Sequence, residues 1–193
     1  GWQQAVDYTM DITVDTASHQ YSGSMKVVLR NNSPEALDKA YFHLFFNAFQ
    51  PGSMMDVRSR TISDPDRRVG SRIFELPEDE WGWIEVASLR VNGKQVAFEH
   101  DGTLLDVTLN SAINAGKKAT FEMEWTAQVP RQIRRSGWMN KEGVEYSMTQ
   151  WYPKLCEYDH DGWHPEPYIG REYHGIWGDY DVTIQLPAGY EVG

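Results

Sequence analysis

Apolar and polar residues alternate almost without fault from residue 2 to residue 14. Val6, Tyr8, Met10, Ile12 and Val14 share one face with Trp2 and Gln4, while Asp7, Thr9, Asp11 and Thr13 share the other. A period of two held this long predicts an antiparallel strand with one wet face. Residues 20–30 repeat the pattern, setting Tyr21, Gly23, Met25, Val27 and Leu29 against Ser22, Ser24, Lys26 and Arg30. Asn31-Asn32-Ser33-Pro34 then supplies turn chemistry. Residues 41–46 are apolar on both faces, which predicts a central or doubly covered strand. His43 within it reads as a satisfied structural histidine rather than a ligand.

The rhythm breaks over residues 50–80. Asp64 as cap and Pro65 at the first position predict a short helix over 65–74. Arg58, Arg60, Arg67, Arg68 and Arg72 crowd this segment, and pairing with neighbouring carboxylates is the expected use of them. From Trp83 a meander is predicted: residues 84–91 run into Asn92-Gly93, a two-residue hairpin signal, and residues 95–99 run into Asp101-Gly102. Residues 103–109, 118–129, 146–152 and 180–186 are the remaining strand candidates. Together they predict an all-β fold of mostly antiparallel sheets with at most one short helix, in a single domain spanning residues 1–193.

Composition narrows the function. A formal net charge of −10 argues against nucleic acid, whose phosphates require a basic surface. No run approaches the roughly 18 apolar residues of a membrane span. Cys156 is the one cysteine, so neither an internal disulfide nor a cysteine-rich zinc site is available. Aromatic residues make up 13% of the chain and concentrate in residues 146–177. That stretch, with its turns and its histidines, must pack on something.

Chemistry-bearing motifs are sparse. G-x-S-x-G, a phosphate-binding glycine loop and H-E-x-x-H are all missing from the sequence. Asp159, His160 and Asp161 with Glu157, His164 and Glu166 could form a loop metal site, although the same residues also simply make polar turns. The turn reading is preferred, with no metal assigned. Cys156 as a nucleophile is opposed by Glu157 and Asp159. Arg131, Arg134 and Arg135 read as a solvated loop. Trp138, Trp151, Trp163 and Trp177 could stack on sugars, serve a protein interface, or fill a second layer of the domain's own core.

An ordered set of short pieces resembles the amino-terminal domain of the zinc aminopeptidase N family, which includes leukotriene hydrolase. The pieces are Tyr8 to Ile12, Asn31-Asn32-Ser33-Pro34, Tyr41-Phe42-His43-Leu44, Asn47-Ala48-Phe49, Gln150-Trp151-Tyr152-Pro153-Lys154, Gly162-Trp163-His164 and Trp177 to Val182. The resemblance is to a bacterial branch and runs over essentially the whole chain. It implies a saddle-shaped β domain that precedes a catalytic domain of the same polypeptide and covers part of its active site. Zinc and the catalytic residues are then expected in that next domain, and none in this chain, which alone should be inactive. In the family a T-Q-x-[E/Q] segment meets the α-amine of a peptide substrate. Thr149-Gln150-Trp151-Tyr152 matches its first two positions, with Tyr152 where the acid or amide belongs. Gln150, Trp151 and Tyr152 are therefore the expected substrate-binding residues, and Tyr152 supplies no anionic charge at neutral pH. Similar bacterial proteins are often exported, so a periplasmic or extracellular address is expected. A carbohydrate-binding β-sandwich module is the rival reading.

Overall fold

The computed structural model describes residues 1–62, 67–170 and 174–193. The long strands come first: β1 (Ala5–Asp15), β2 (Gln20–Arg30) and β3 (Leu37–His43), followed by helix α1 (Met54–Thr61). A meander of β4 (Trp83–Val91), β5 (Lys94–Gln95), β6 (Ala97–Asp101), β7 (Leu104–Ile113) and β8 (Lys118–Gln128) follows. Five two-residue strands punctuate the next segment: β9 (Gly137–Trp138), β10 (Tyr146–Ser147), β11 (Lys154–Leu155), β12 (Tyr158–Asp159) and β13 (Gly162–Trp163). β14 (Gly178–Gln185) closes the order. The fold is all-β, as the alternation predicts.

Two sheets carry the core. The larger runs β14-β1-β2-β8-β4-β5 and the smaller β11-β3-β7-β6. Every second residue of β1, from Val6 to Val14, is buried, and the residues between are exposed. The inward faces of β2 and β8 match it residue for residue, with Val27 opposite Phe121 and Met25 opposite Met123. The two sheets meet where Phe42 of β3 packs edge-on against Phe121 of β8, centroids 5.5 Å apart. Such rings, fully buried, each contribute roughly 1.5–3 kcal/mol relative to exposure. Gly23 sits opposite Trp125, and a Cβ at that position would run into the indole. The missing side chain is the seat for the ring.

Three features depart from the periodic reading. β14 pairs with β1 in parallel, Val6 opposite Gly178 through Thr13 opposite Gln185, while the other named strand pairs are antiparallel. Strand β3 ends at His43, and Phe45–Ala48 forms a 3-10 turn instead of continuing the strand. Asn47 holds that turn, donating to Gly102 O at 2.9 Å and accepting from the Ile84 N–H at 2.6 Å. Phe45, Phe46 and Phe49 are buried because the turn itself lies inside the core, which an apolar run cannot distinguish from a strand. His43 is buried and lies against Phe45, with ring centroids 4.7 Å apart, but its Nδ1 has no hydrogen-bond partner, contrary to the satisfied histidine expected.

The helix also lies elsewhere than expected. It is α1, capped by Ser53, whose hydroxyl accepts from the Asp56 N–H at 3.1 Å. Of the expected 65–74 helix, Asp64 and Pro65 lie outside the described residues, and residues 67–74 form successive turns. Only Met55 and Asp56 of α1 are buried, so it has almost no apolar stripe to betray it. The expected local pairing of arginines holds for Arg60, which grips the buried Asp56 carboxylate at 2.9 and 3.0 Å. Arg72 instead donates to the carbonyls of Arg68 and Gln132.

Candidate functional site

A few anchors fix the path of residues 129–170. Ser136 Oγ donates to Thr149 O at 2.9 Å. The buried Tyr21 hydroxyl donates to Trp151 O, and Tyr8 Oη accepts from the Leu155 N–H at 3.0 Å. β11 then joins the smaller sheet beside His43 and Phe42. The expected strand over 146–152 is reduced to Tyr146–Ser147, because Gln150 takes a left-handed backbone, φ +57°, and turns the chain. That conformation is uncommon for a side chain of this kind and costs on the order of 1 kcal/mol or more.

The turn separates the three expected substrate-binding residues. Gln150 faces a cavity of about 810 Å³ whose wall also includes Lys154, Glu157, Asp159, His174 and Trp177. Its Oε1 is buried and has no hydrogen-bond partner. Trp151 faces a second, apolar cavity of about 680 Å³ together with Ile12, Val14, Met148, Ile184 and Leu186. Tyr152 lines neither. Its ring lies edge-on to Tyr8 at 5.5 Å, and its hydroxyl donates to Tyr180 Oη at 3.1 Å. Burial and that bond push the Tyr152 phenol well above its ordinary range, so it stays neutral.

Electrostatics single out the first cavity. Burial lowers the Lys154 ammonium and raises the Glu157 carboxyl, each disfavouring its charged form. Perturbed groups of opposite type on one cavity wall mark a candidate site on physical grounds. Cys156, fully buried, is pushed well up by burial and by the Glu166 charge, so its thiol is a poor nucleophile. At the cavity rim the hairpin β12–β13 carries Asp159 and His164, with His164 Nε2 2.9 Å from Asp159 Oδ1. That contact raises the His164 imidazole and lowers the Asp159 carboxylate. It is close but out of line for a hydrogen bond, which leaves the buried Nε2 unmatched. His174, across the rim, was not singled out by any spacing in the sequence, because it joins the cluster only through the fold.

Most rings of this segment are turned inward. Trp163 lies edge-on to Tyr41 at 5.8 Å and Tyr158 at 5.1 Å, and Trp151 edge-on to Tyr21 at 6.0 Å. Trp138 stacks on His19 at 4.1 Å, with the Arg131 guanidinium 5.6 Å from its centroid. Arg131, its side chain partly exposed, also pairs with Glu80 at 2.6 Å. Tyr173 lies outside the described residues. Trp177 is the exception, 88% exposed, and it leads into β14, where Tyr180, Val182 and Ile184 are exposed in turn. No helix among the described residues is long and apolar enough to cross a membrane.

No protein-family model and no curated protein sequence matches the chain. Solved structures do. A two-domain M1 zinc metallopeptidase mutant bound to L-arginine matches 96% of this chain with a TM-score of 0.53 at 15% identity, and the chain spans 33% of that protein. An M1 zinc metallopeptidase from Deinococcus radiodurans matches 77% of the chain with a TM-score of 0.47 at 16% identity, over 26% of its own length. A mutant two-domain M1 enzyme bound to L-tryptophan matches 78% at 0.47 and 16% identity, over 27% of its length. At such identities the likeness is one of fold.

Proposed function

We propose that this chain is a non-catalytic β domain, amino-terminal in a larger zinc-dependent aminopeptidase-like metallopeptidase, where it walls the substrate pocket and docks on the catalytic domain. The observation that carries this reading is Gln150: it lines a large cavity, its backbone is left-handed, and its amide oxygen is buried without a partner. An unmatched buried acceptor costs about 1–3 kcal/mol, and a donor that enters the cavity recovers it. A peptide α-ammonium is such a donor, and its hydrogen bond to the amide would be charge-assisted. Burial raises the Glu157 carboxyl, and a nearby ammonium would favour its charged form. Tyr152 is left out of the recognition and serves to position Tyr180. The docking half of the reading is supported by Trp177 and by Tyr180, Val182 and Ile184 of the edge strand β14, which continue the core-side face of β1 but are left exposed. No residue of this chain is assigned to the zinc, since the H-E-x-x-H ligands are not in its sequence. The sugar-binding rival is less favoured, because Trp151 and Trp163 are half-buried and make edge contacts with Tyr21 and Tyr158 of the same domain.

The test uses the polypeptide as its gene encodes it, assayed on aminoacyl amides. Gln150→Ala should raise KM by about tenfold, the worth of one charge-assisted bond, with kcat little changed. An α-deamino substrate analogue should show no such difference. Absence of aminopeptidase activity, or a KM unmoved by the substitution, would overturn the proposal.

A further inference from the structure

The cavity rim holds a second chemistry that the pocket-wall reading does not use. Asp159, His164 and His174 each offer a ligand-type atom, and these atoms all lie within 4.8 Å of one another. We infer that these three side chains form a binding site for a divalent cation of the zinc class.

Local structure builds the site from both sides. In the β12–β13 hairpin Gly162 takes φ +103°, and the His164 N–H donates to Glu157 O at 2.9 Å, which sets the imidazole beside Asp159. The Asp161 N–H donates to Asp159 Oδ1 at 2.8 Å and fixes that carboxylate, leaving Oδ2 turned to His174 Nε2 at 3.9 Å. The two imidazoles meet edge to face, centroids 4.9 Å apart. Tetrahedral zinc with nitrogen and oxygen ligands spaces its donors about 3.3 Å apart. The two imidazoles lie 2.9 and 3.9 Å from the two oxygens of the Asp159 carboxylate, and the set stays within 4.8 Å, so donors of this kind are gathered at near-coordination spacing. On the other side of His164, the exposed Glu166 Oε1 lies 3.6 Å from Nδ1, an ion-pair distance from which a carboxylate could close on a metal-bound imidazole.

The competing account is a polar hairpin tip held by ion pairs alone. It leaves His164 Nε2 buried with no aligned partner, a cost that metal coordination removes. Two imidazoles and one carboxylate suit zinc, cobalt or nickel better than magnesium or calcium, which prefer all-oxygen shells. Asp159 and His174 both border the cavity, so a fourth coordination position would open into it.

The experiment takes the 193-residue chain, stripped with chelator, and titrates it with Zn²⁺ by calorimetry and with Co²⁺ by visible absorption. One ion per chain with a tetrahedral cobalt spectrum is expected. His174→Ala, a change at a 58% exposed side chain that leaves the fold intact, should weaken binding at least tenfold. Asp159→Asn should do the same, and His160→Ala, at the exposed hairpin tip, should change it less than twofold. Circular dichroism of each variant verifies folding. No stoichiometric uptake, or uptake that survives both His174→Ala and Asp159→Asn, overturns the assignment, as does loss confined to His160→Ala.

Discussion

The strands Ala5–Asp15, Gln20–Arg30 and Lys118–Gln128 and the segment 129–177 use the same aromatic and apolar residues to different ends. In the strands, parity decides: Tyr8, Tyr21, Phe121 and Trp125 are buried because they occupy inward positions of a pleat. In the segment, contact decides: Tyr158 and Tyr168 are buried while Trp151 and Trp163 stay half-buried. The charged groups differ more. Those of the strands face water, whereas Lys154, Glu157 and His164 are shifted by burial or close partners. Stability therefore resides in the sheets and unspent binding capacity in the loops. This division fits a scaffold that presents a site.

The widest gap should appear on ring deletion. Trp125→Ala removes a ring buried between Gly23 and the core and is expected to cost about 3–5 kcal/mol in urea unfolding. Trp163→Ala, half-buried at the hairpin, should cost roughly 1–2 kcal/mol, in proportion to its smaller buried area. Equal losses would erase the distinction between the two regions.

Acid should act on the one histidine buried at the junction of the two regions. Burial, reinforced by the Lys154 and His174 charges and opposed by Glu166, lowers the His43 imidazole from 6.5 to about 4. The unfolded chain then binds the proton more readily than the folded one between these values. Stability should accordingly fall as pH drops from 6.5 to 4 and level off below, a loss of roughly 3 kcal/mol. His43→Phe should flatten that part of the stability–pH curve. If the slope persists unchanged in the variant, the carboxylates and histidines of the loop segment are responsible instead.

A smaller effect should follow from Tyr152→Phe. The lost bond to Tyr180 is half-exposed and worth about 0.5–1.5 kcal/mol. KM for an aminoacyl amide should stay within twofold of the parent, because this ring lines neither cavity. A KM change as large as that of Gln150→Ala would return Tyr152 to the recognition site.

Much of the fold was legible in the sequence. Alternation named the buried residues of β1, β2 and β8, and Asn92-Gly93 marked a hairpin whose two turn residues do adopt positive φ. What parity could not supply was direction and depth. Nothing in residues 178–185 says parallel rather than antiparallel, and Gly178 shows its purpose only where a side chain would strike the backbone of Val6. Residues 41–46 look like one apolar strand whether the last three continue it or fold inward as a turn. At the candidate site Gln150, Trp151 and Tyr152 are adjacent in sequence, yet one left-handed residue sends them to three surroundings. His174 lies ten residues beyond His164, a separation that says nothing until the fold brings the rings together.

The central claim is that the exposed rim around Trp177 is completed by another domain of the same polypeptide, and site-directed labelling tests it most directly. Cys156 is fully buried with a raised pKa, so a cysteine introduced by Trp177→Cys is the thiol a maleimide will find. In the 193-residue chain it should react at the rate of a free thiol. In the polypeptide as encoded by its gene, the rate should fall at least tenfold under native conditions and recover on unfolding. Equal rates in the two proteins would contradict the account.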